Sequence, residues 1–295
     1  MYYVNFRIKY DLNIFAHTTI MYIDKSATES SSVVYLWRNA EVEKTIHTQR
    51  GTLVEMVNHP QWGKTCYMDG DIQSSEIDEK LYHESLVHPV MCSVKTPKRI
   101  MIMGGGEGAT AREILKWDSV EHIDMYEWDQ DVIDLFKQHY PQWAKGAWDD
   151  SRLHLHTNDI FEVIQQPPVS ESDRYDVIII DLFEPSMENK PAWKTLFNNL
   201  SQWIRVDGSV VMYSGIRTHP TADQPYQLLA ELLLEQMKEE HMYNRRILPY
   251  HFFLPCFLSE ATCILWTSSH PFSIKPNIPS HITQSIWQSY LTFNW

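Results

Sequence analysis

Four glycines and a glutamate share one short turn, Gly104-Gly-Gly-Glu-Gly108, between an apolar run and a segment of helical character. A glycine turn between a strand and a helix lets the backbone approach a nucleoside, because glycine has no side chain and tolerates a positive φ. Glu107 adds a carboxylate, which would repel a pyrophosphate and attract a cation. The turn therefore predicts a nucleoside site built for a positively charged ligand.

Carboxylates also follow the other apolar runs that could be strands. Glu127 lies about 20 residues beyond the glycine turn, where nucleoside-binding folds place an acid on the ribose hydroxyls. Asp159 suits an adenine amino group, and Asp181 and Glu184 follow the next run. A single acid at a strand end is often only a helix N-cap. Acids at four successive strand ends indicate a binding site. A nucleoside needs only Glu127 and Asp159, so Glu107, Asp181 and Glu184 are additional acids.

The glycine turn also differs from two common phosphate-binding sequences. It lacks the G-x-G-x-x-G register of a tight pyrophosphate site, because Ala109 and Thr110 follow Gly108, and the chain contains no G-x-x-x-x-G-K-[ST]. A nucleoside sulfonium such as S-adenosylmethionine, or a derivative of it, therefore fits better than NAD or ATP.

Alternating helices and apolar strands must position these acids. The alternation predicts a parallel sheet with helices on both faces, which binds ligands at the carboxyl ends of its strands. The all-apolar run 177–180 suits a central strand that is buried on both faces. Five runs are predicted as strands: 100–103, 123–126, 153–156, 177–180 and 210–213.

Residues 1–78 have a different sequence pattern, with little helical periodicity. Runs rich in β-branched and aromatic residues alternate with turn formers, and Asp69-Gly70 is typical of a tight hairpin turn. A helix is predicted over 76–91. The chain is thus predicted to be α/β, with a small antiparallel β domain at 1–78 and a doubly wound domain at 79–295. The predicted N-terminal strands are 20–23, 32–37 and 52–57.

Composition limits the classes of function. The 295 residues carry a formal net charge of -13, which argues against binding to nucleic acid. No run approaches the roughly 20 apolar residues of a membrane span, and the first residues lack the apolar block of a signal peptide. The four cysteines show neither a C-x-x-C pair nor metal-ligand spacing, and His154 and His156 alternate as structural residues would. We expect reduced thiols, no metal, no membrane partner and a cytoplasmic location.

Several motifs resemble those of the polyamine aminopropyltransferases, the family of the spermidine, spermine and thermospermine synthases. The resemblance spans residues 50 to 272 in order. Its most specific part is similar to the family segment LDG-x-x-Q…DE-x-x-YHE-x-x-x-HP: Met68-Asp-Gly-Asp-Ile-Gln73, Asp78-Glu79, Tyr82-His-Glu84 and His88-Pro89. The glycine turn resembles GGGEG, and further segments resemble E-x-D, D-x-x-D-P and GPA…LF: Glu127-Trp-Asp129, Asp181-Leu-Phe-Glu-Pro185, Pro191-Ala192 and Leu196-Phe197.

The resemblance implies transfer of an aminopropyl group from decarboxylated S-adenosylmethionine, a co-substrate, to a polyamine amine such as putrescine or spermidine. Methylthioadenosine is released and no further cofactor is needed. The family fold is a small β domain followed by a Rossmann-like domain of the S-adenosylmethionine methyltransferase type, assembled as a homodimer or homotetramer.

The resemblance also implies residue roles. Asp181 would be the catalytic carboxylate. The nucleoside would contact Thr52, Gln73, Glu127, Asp159, Ile160 and Pro191. The polyamine and the aminopropyl group would contact Tyr82, His83, Glu107, Glu184 and Phe257.

Such a reaction needs an acidic site. The attacking amine must be neutral, whereas a free alkylammonium has a pKa of about 10.4, like lysine. A nearby carboxylate raises that pKa, so the value of Asp181 lies in positioning the amine and accepting its proton. Glu107 and Glu184 would hold the ammonium groups that stay charged.

Three positions depart from the family pattern. Thr52 takes the place of a glutamine, Glu184 is longer than the usual aspartate, and Phe257 keeps an aromatic ring but is not a tyrosine. Glu107 and Phe257 together resemble the thermospermine synthase branch. The acceptor therefore stays open, and two alternatives remain: an S-adenosylmethionine-dependent methyltransferase, and a non-catalytic homologue that binds polyamines or nucleosides.

Overall fold

The structure, a computed structural model, describes residues 21–24, 35–217, 225–239, 245–268, 272–275 and 278–292. The rest of the predicted N-terminal domain, including residue 20 and residues 32–34 of two predicted strands, lies outside the described residues.

The N-terminal region is antiparallel β structure, as predicted. Asp69 and Gly70 both have positive φ angles, 53° and 93°, which is the geometry of the predicted hairpin turn. Two short strands pair with each other, β1 (Met21–Asp24) and β2 (Tyr35–Arg38). The other four form a sheet in chain order: β3 (Glu41–His47), β4 (Leu53–His59), β5 (Gly63–Met68) and β6 (Asp71–Ser75).

A seven-stranded sheet forms the second region, in the order β12-β13-β11-β10-β7-β8-β9. The five predicted strands are parallel to one another. The last two strands, β12 and β13, add an antiparallel hairpin beside β11. The bounds are β7 (Arg99–Gly104), β8 (His122–Tyr126), β9 (Leu153–His156), β10 (Tyr175–Asp181), β11 (Ile204–Ile216), β12 (Arg246–Leu254) and β13 (Ser259–Thr267).

Helices cover both faces of this sheet, and two apolar cores lie beneath them. Successive residues of a strand point to opposite faces. Along β10, Val177 and Ile179 therefore join one core and Ile178 and Ile180 the other. No helix in the described part of the chain is both long and apolar enough to cross a membrane. The helices are α1 (Glu79–Ser93), α2 (Ala109–Leu115), α3 (Gln130–His139), α4 (Ile160–Val163), α5 (Lys190–Leu200), α6 (Pro225–Glu239) and α7 (Gln284–Tyr290).

Helix α1 begins three residues later than the predicted 76–91, at Glu79. The backbone N–H of Glu76 instead donates to the carbonyl oxygen of Lys64, within β5, at 2.8 Å. The N–H of Ile77 donates to the carbonyl oxygen of Trp62, just before β5, at 3.2 Å. The N-cap residue Asp78 accepts hydrogen bonds from the Ser75 hydroxyl and the Cys256 N–H, both at 2.7 Å. These contacts hold residues 76–78 against the β domain. The helical periodicity of the sequence therefore begins three residues before the helix does.

A buried ion cluster joins α1 and α2. Among the described residues, Glu84, His88 and Glu113 could together offer three ligand atoms to a metal ion. The ammonium of Lys116 already lies 2.5 Å from Glu113 and 3.4 Å from Glu84, and His88 lies 3.1 Å from Glu113. Glu84 also accepts the backbone N–H of His281 at 2.7 Å. The cluster therefore ties two helices to the C-terminal segment through charges that are already paired.

We expect Glu84→Ala to lower the free energy of unfolding by about 3–5 kcal/mol, because Lys116 and the N–H of His281 would lose a buried partner. Urea denaturation measures this loss. The matched control is Glu121→Ala, which removes an ion pair to Lys98 from a side chain that is 64% exposed and should change stability little. Equal stability of the two variants would contradict the role given to the cluster.

Candidate active site

The glycine turn and the end of β10 meet at one sheet edge. Gly104 ends β7, pairs with Asp181 and has a φ of 88°. A Cβ at Gly104 would lie 2.1 Å from the carbonyl oxygen of Asp181, so a side chain is excluded there. This close approach places the turn that carries Glu107 directly beside the predicted catalytic carboxylate.

Asp181 is held by two hydroxyl groups. The hydroxyl of Tyr82, on α1, donates to Oδ1 at 2.6 Å, and the hydroxyl of Thr110, on α2, donates to Oδ2 at 3.2 Å. Burial raises the pKa of Asp181, against the opposing effects of His83 and the Tyr82 hydroxyl. The result is an oriented carboxylate with a higher than usual proton affinity, which suits a proton acceptor.

His83 lies between two carboxylates. Its Nε2 is 2.5 Å from Oε1 of Glu107, and its Nδ1 is 2.6 Å from the carbonyl oxygen of Glu79. Burial by itself would lower the pKa of His83, but Glu107 and Glu79 outweigh it and raise the pKa to about 10. His83 is therefore an imidazolium at neutral pH. Arg112 completes the cluster by a bidentate pair with Glu79, at 2.8 and 3.1 Å.

Glu184 lines an open part of the same cleft. The Tyr213 hydroxyl and the Ile216 N–H donate to its Oε1 at 2.8 and 3.1 Å. Solvent reaches the side chain, yet the surrounding protein is dense enough that burial raises the pKa of Glu184. Glu107, Asp181 and Glu184 thus form an acidic slot along the carboxyl edge of the sheet.

Glu127 faces the glycine turn from the end of β8. Its Oε2 accepts the Gly106 N–H and its Oε1 accepts the Asp129 N–H, both at 3.1 Å. Burial raises the pKa of Glu127 to about 7, although these N–H groups oppose the shift. A carboxylate fixed beside a glycine turn is well placed to accept hydrogen bonds from ribose hydroxyls.

The other predicted nucleoside residues make local contacts that do not involve the glycine turn. Asp159 caps α4 by accepting the Phe161 N–H at 2.8 Å, and Ile160 is only 4% exposed, so a ligand would meet its backbone. Gln73 is exposed and donates to the carbonyl oxygen of Asp71 at 3.2 Å. Pro191 is exposed in the first turn of α5. The roles of these four residues stay predictions.

Phe257 lies in the turn between β12 and β13, where it is half-buried. The N–H of the preceding Cys256 donates to Asp78 at 2.7 Å, which ties this turn to the start of α1. The contact connects the turn to the helix that carries Tyr82 and His83, but the acceptor role of Phe257 stays a prediction.

Two residues beside Glu127 were not predicted from the sequence, namely Arg50 and Trp128. The Arg50 guanidinium lies 5.0 Å from the ring centroid of Trp128, the residue after Glu127. In the same β3–β4 turn, the Gln49 N–H donates to Asp131 at 2.6 Å. The turn, which also holds Thr52, therefore packs on the segment that presents Glu127. In the sequence, the predicted nucleoside contact of Thr52 was the only feature that pointed to this turn.

Tyr213 was also missed, because it follows an apolar run and resembles a core residue. Its position at the carboxyl end of a parallel strand was the available signal, since ligands bind at that edge.

Comparison with known proteins identifies a family for this chain. The family model of the spermine/spermidine synthase domain matches residues 79–275. The chain is 41% identical over 157 residues to polyamine aminopropyltransferase 1 of Hyperthermus butylicus, which covers 52% of this chain and 53% of that protein. It is 35% identical over 203 residues to polyamine aminopropyltransferase 2 of Pseudomonas aeruginosa, covering 68% and 54%. The chain spans about half the length of these curated relatives.

Solved structures show the same fold. A spermidine synthase in complex with the transition-state analogue AdoDATO has a TM-score of 0.79 at 19% identity, covering 94% of this chain and 93% of that chain. Spermidine synthase from Thermotoga maritima has a TM-score of 0.75 at 20% identity with the same coverage. The likeness at this identity is one of fold, and it confirms the predicted β domain followed by a Rossmann-like domain.

The raised pKa of Glu127 generates a prediction for nucleoside binding. Ribose hydroxyls donate to the ionised carboxylate, so binding should weaken as Glu127 takes up a proton below a pH of about 7. We expect the affinity for methylthioadenosine to fall about tenfold between pH values of about 8 and 6. Titration calorimetry measures this. Glu127→Gln should bind more weakly with little pH dependence, and a flat profile for the unmodified protein would contradict the assignment.

Proposed function

Because the chain belongs to the spermine/spermidine synthase family, we propose that it transfers the aminopropyl group of decarboxylated S-adenosylmethionine to an amine of a polyamine. The observation that carries the proposal is the setting of Asp181. It is oriented by Tyr82 and Thr110, at 2.6 and 3.2 Å, beside a glycine turn that supplies the second carboxylate of the slot.

The reaction is a one-step displacement. The lone pair of a neutral amine attacks the methylene carbon attached to the sulfonium, and a new C–N bond forms. The C–S bond breaks, and its electron pair returns to sulfur to give the neutral thioether methylthioadenosine. The nitrogen, now cationic, passes a proton to Asp181. One positive charge is lost at sulfur as one proton is released from nitrogen, so the charges balance.

The contacts of Asp181 support its role as the proton acceptor. The Tyr82 hydroxyl fixes one carboxylate oxygen and stays protonated, because burial and the charge of Asp181 raise the pKa of Tyr82 well above its usual value. The raised pKa of Asp181 brings its proton affinity closer to that of the amine. A positioned base of this kind accelerates a reaction about a hundredfold to ten-thousandfold.

The other two carboxylates of the slot would bind the ammonium groups that do not react. The carboxylate of Glu107 would accept hydrogen bonds from both the aminopropyl ammonium and the imidazolium of His83, whose Nε2 lies 2.5 Å from Oε1 of Glu107. Glu184 would bind the distal ammonium of the acceptor. Putrescine and spermidine both carry such a group, and the extra methylene of Glu184 relative to aspartate affects which of them fits.

The co-substrate, the oligomeric state and the cellular location are also proposed. We take decarboxylated S-adenosylmethionine as a co-substrate, with no bound cofactor, and the assembly as a homodimer or homotetramer. A cytoplasmic location is part of the proposal and is supported by four free, buried cysteines, which suit a reducing compartment.

The first experiment compares two donors. Incubation with decarboxylated S-adenosylmethionine and putrescine or spermidine should release methylthioadenosine, measured by chromatography with mass detection. Release of S-adenosylhomocysteine from S-adenosylmethionine would instead identify a methyltransferase. Binding of both substrates without turnover would identify a non-catalytic homologue.

Asp181→Asn should lower kcat by about a hundredfold to ten-thousandfold, because the amide cannot accept the proton from nitrogen. Its affinity for methylthioadenosine should stay close to that of the unmodified protein, since the nucleoside contacts are elsewhere. Asp118→Asn, at an exposed position after α2, is the matched control and should retain full activity. Full turnover by Asp181→Asn would exclude Asp181 as the base.

A further inference from the structure

Tyr213 fixes one oxygen of Glu184. Tyr213 is 9% exposed, and its hydroxyl donates to Oε1 of Glu184 at 2.8 Å. The N–H of Ile216 donates to the same oxygen at 3.1 Å. Both donors use Oε1, and the described part of the chain gives Oε2 no hydrogen bond, so Oε2 is the oxygen left for an ammonium group.

Tyr213 also packs against the tyrosine that holds Asp181. The rings of Tyr82 and Tyr213 lie edge to face, with centroids 5.8 Å apart and planes at 68°. Tyr82 donates to Asp181 at 2.6 Å. Two contacting tyrosines, from α1 and β11, therefore each hold one of the two carboxylates on the acceptor side.

The loop between these carboxylates holds the backbone of Glu184. The ring of Phe183 stacks on Phe161 with centroids 5.7 Å apart, and the carbonyl oxygen of Glu184 accepts a hydrogen bond from Asn189 at 2.8 Å. The end of β11 adds the contacts to the Glu184 side chain. Gly215 has a φ of 94°, and a Cβ there would lie 2.7 Å from Cβ of Pro225 and 3.5 Å from Cδ of Glu184. The end of β11 therefore lies within van der Waals distance of the Glu184 carboxylate.

We propose, on the basis of the proposed function, that Tyr213 is a positioning residue that sets the length of the acceptor. By fixing Glu184, it holds the distal ammonium at one distance from Asp181, where the reacting amine gives up its proton. The number of methylenes between the two nitrogens then decides whether the reacting amine reaches the donor carbon. The acceptor class is a linear aliphatic diamine or polyamine of matched spacing.

The test is Tyr213→Phe, assayed with decarboxylated S-adenosylmethionine and a ladder of diamines: diaminopropane, putrescine and cadaverine, with spermidine as a triamine. The KM for the best acceptor should rise about fivefold, the effect of losing one hydrogen bond. The ratio of kcat/KM between the best and the next diamine should shrink, while the KM for the donor stays constant. A purely structural role would not separate the two KM values.

The matched control is Tyr175→Phe. Its hydroxyl donates to Asp124 at 2.8 Å, at the opposite end of β10 from Asp181. This variant loses a comparable hydrogen bond far from the slot and should keep the acceptor profile of the unmodified protein.

A double-mutant cycle with Glu184→Gln separates the proposal from a general loss of structure. In the Glu184→Gln background, Tyr213→Phe should change the acceptor KM much less than in the unmodified protein. An equal change in both backgrounds, or an unchanged acceptor profile in Tyr213→Phe, would overturn the role of Tyr213 alone. If the unmodified protein turned over no amine of the ladder, the proposed function would fail and this inference with it.

Discussion

Repulsion between carboxylates is the constraint on which this site depends. Glu107, Asp181 and Glu184 line one edge of the sheet, and Glu127 faces the glycine turn at the same edge. Glu107 helps to raise the pKa of Asp181, so these two charges repel each other. Burial raises the pKa of Glu127 and of Glu184, and such carboxylates destabilise a fold unless each is paired or hydrogen-bonded. The structure provides a separate set of donors for each one. These are the imidazolium of His83 for Glu107, hydroxyl groups for Asp181, a hydroxyl and an amide for Glu184, and two amides for Glu127.

The sequence predicted the acids well and their donors poorly, for a physical reason. Acids at the ends of parallel strands are a local feature, because strand order brings successive strand ends to one edge. The donors come from elsewhere in the chain. Tyr82 precedes Asp181 by 99 residues and Tyr213 follows Glu184 by 29, so only tertiary packing pairs them. Motif resemblance supplied Tyr82 and His83. Tyr213 and Arg50 lie in no motif and Trp128 is the variable position of E-x-D, so these three residues were not predicted.

Element type was predicted better than the way elements join. Strands β7, β10 and β11 follow from apolar runs, since a strand buried on both faces has a continuous apolar sequence. Strands β8 and β9 contain Asp124, His154 and His156, and they were predicted from the alternation of strands with helices. The antiparallel pair β12 and β13 lacks this signature because both strands mix polar and apolar residues, and only their pairing with β11 places them in the sheet. The predicted start of α1 was also wrong because of contacts between distant parts of the chain. Asp78 accepts hydrogen bonds from Ser75, in the β domain, and from Cys256, beside the seven-stranded sheet.

The compensation of charge is uneven along the slot, and this matters for the proposed reaction. Glu107 is paired with a full positive charge, while the donors that the described residues offer to Glu184 are neutral. A carboxylate beside the attacking amine favours its charged form, which opposes nucleophilic attack. The imidazolium of His83 acts in the opposite direction, because it is close enough to Asp181 to oppose the rise in the pKa of that carboxyl. In the proposed reaction a cation at this point would lower the pKa of the reacting amine, whereas Glu184 would hold the distal amine as a cation. The slot would thus separate two chemically similar amines of one acceptor: the amine that anchors would stay charged, while the neutral form of the amine that reacts would be favoured.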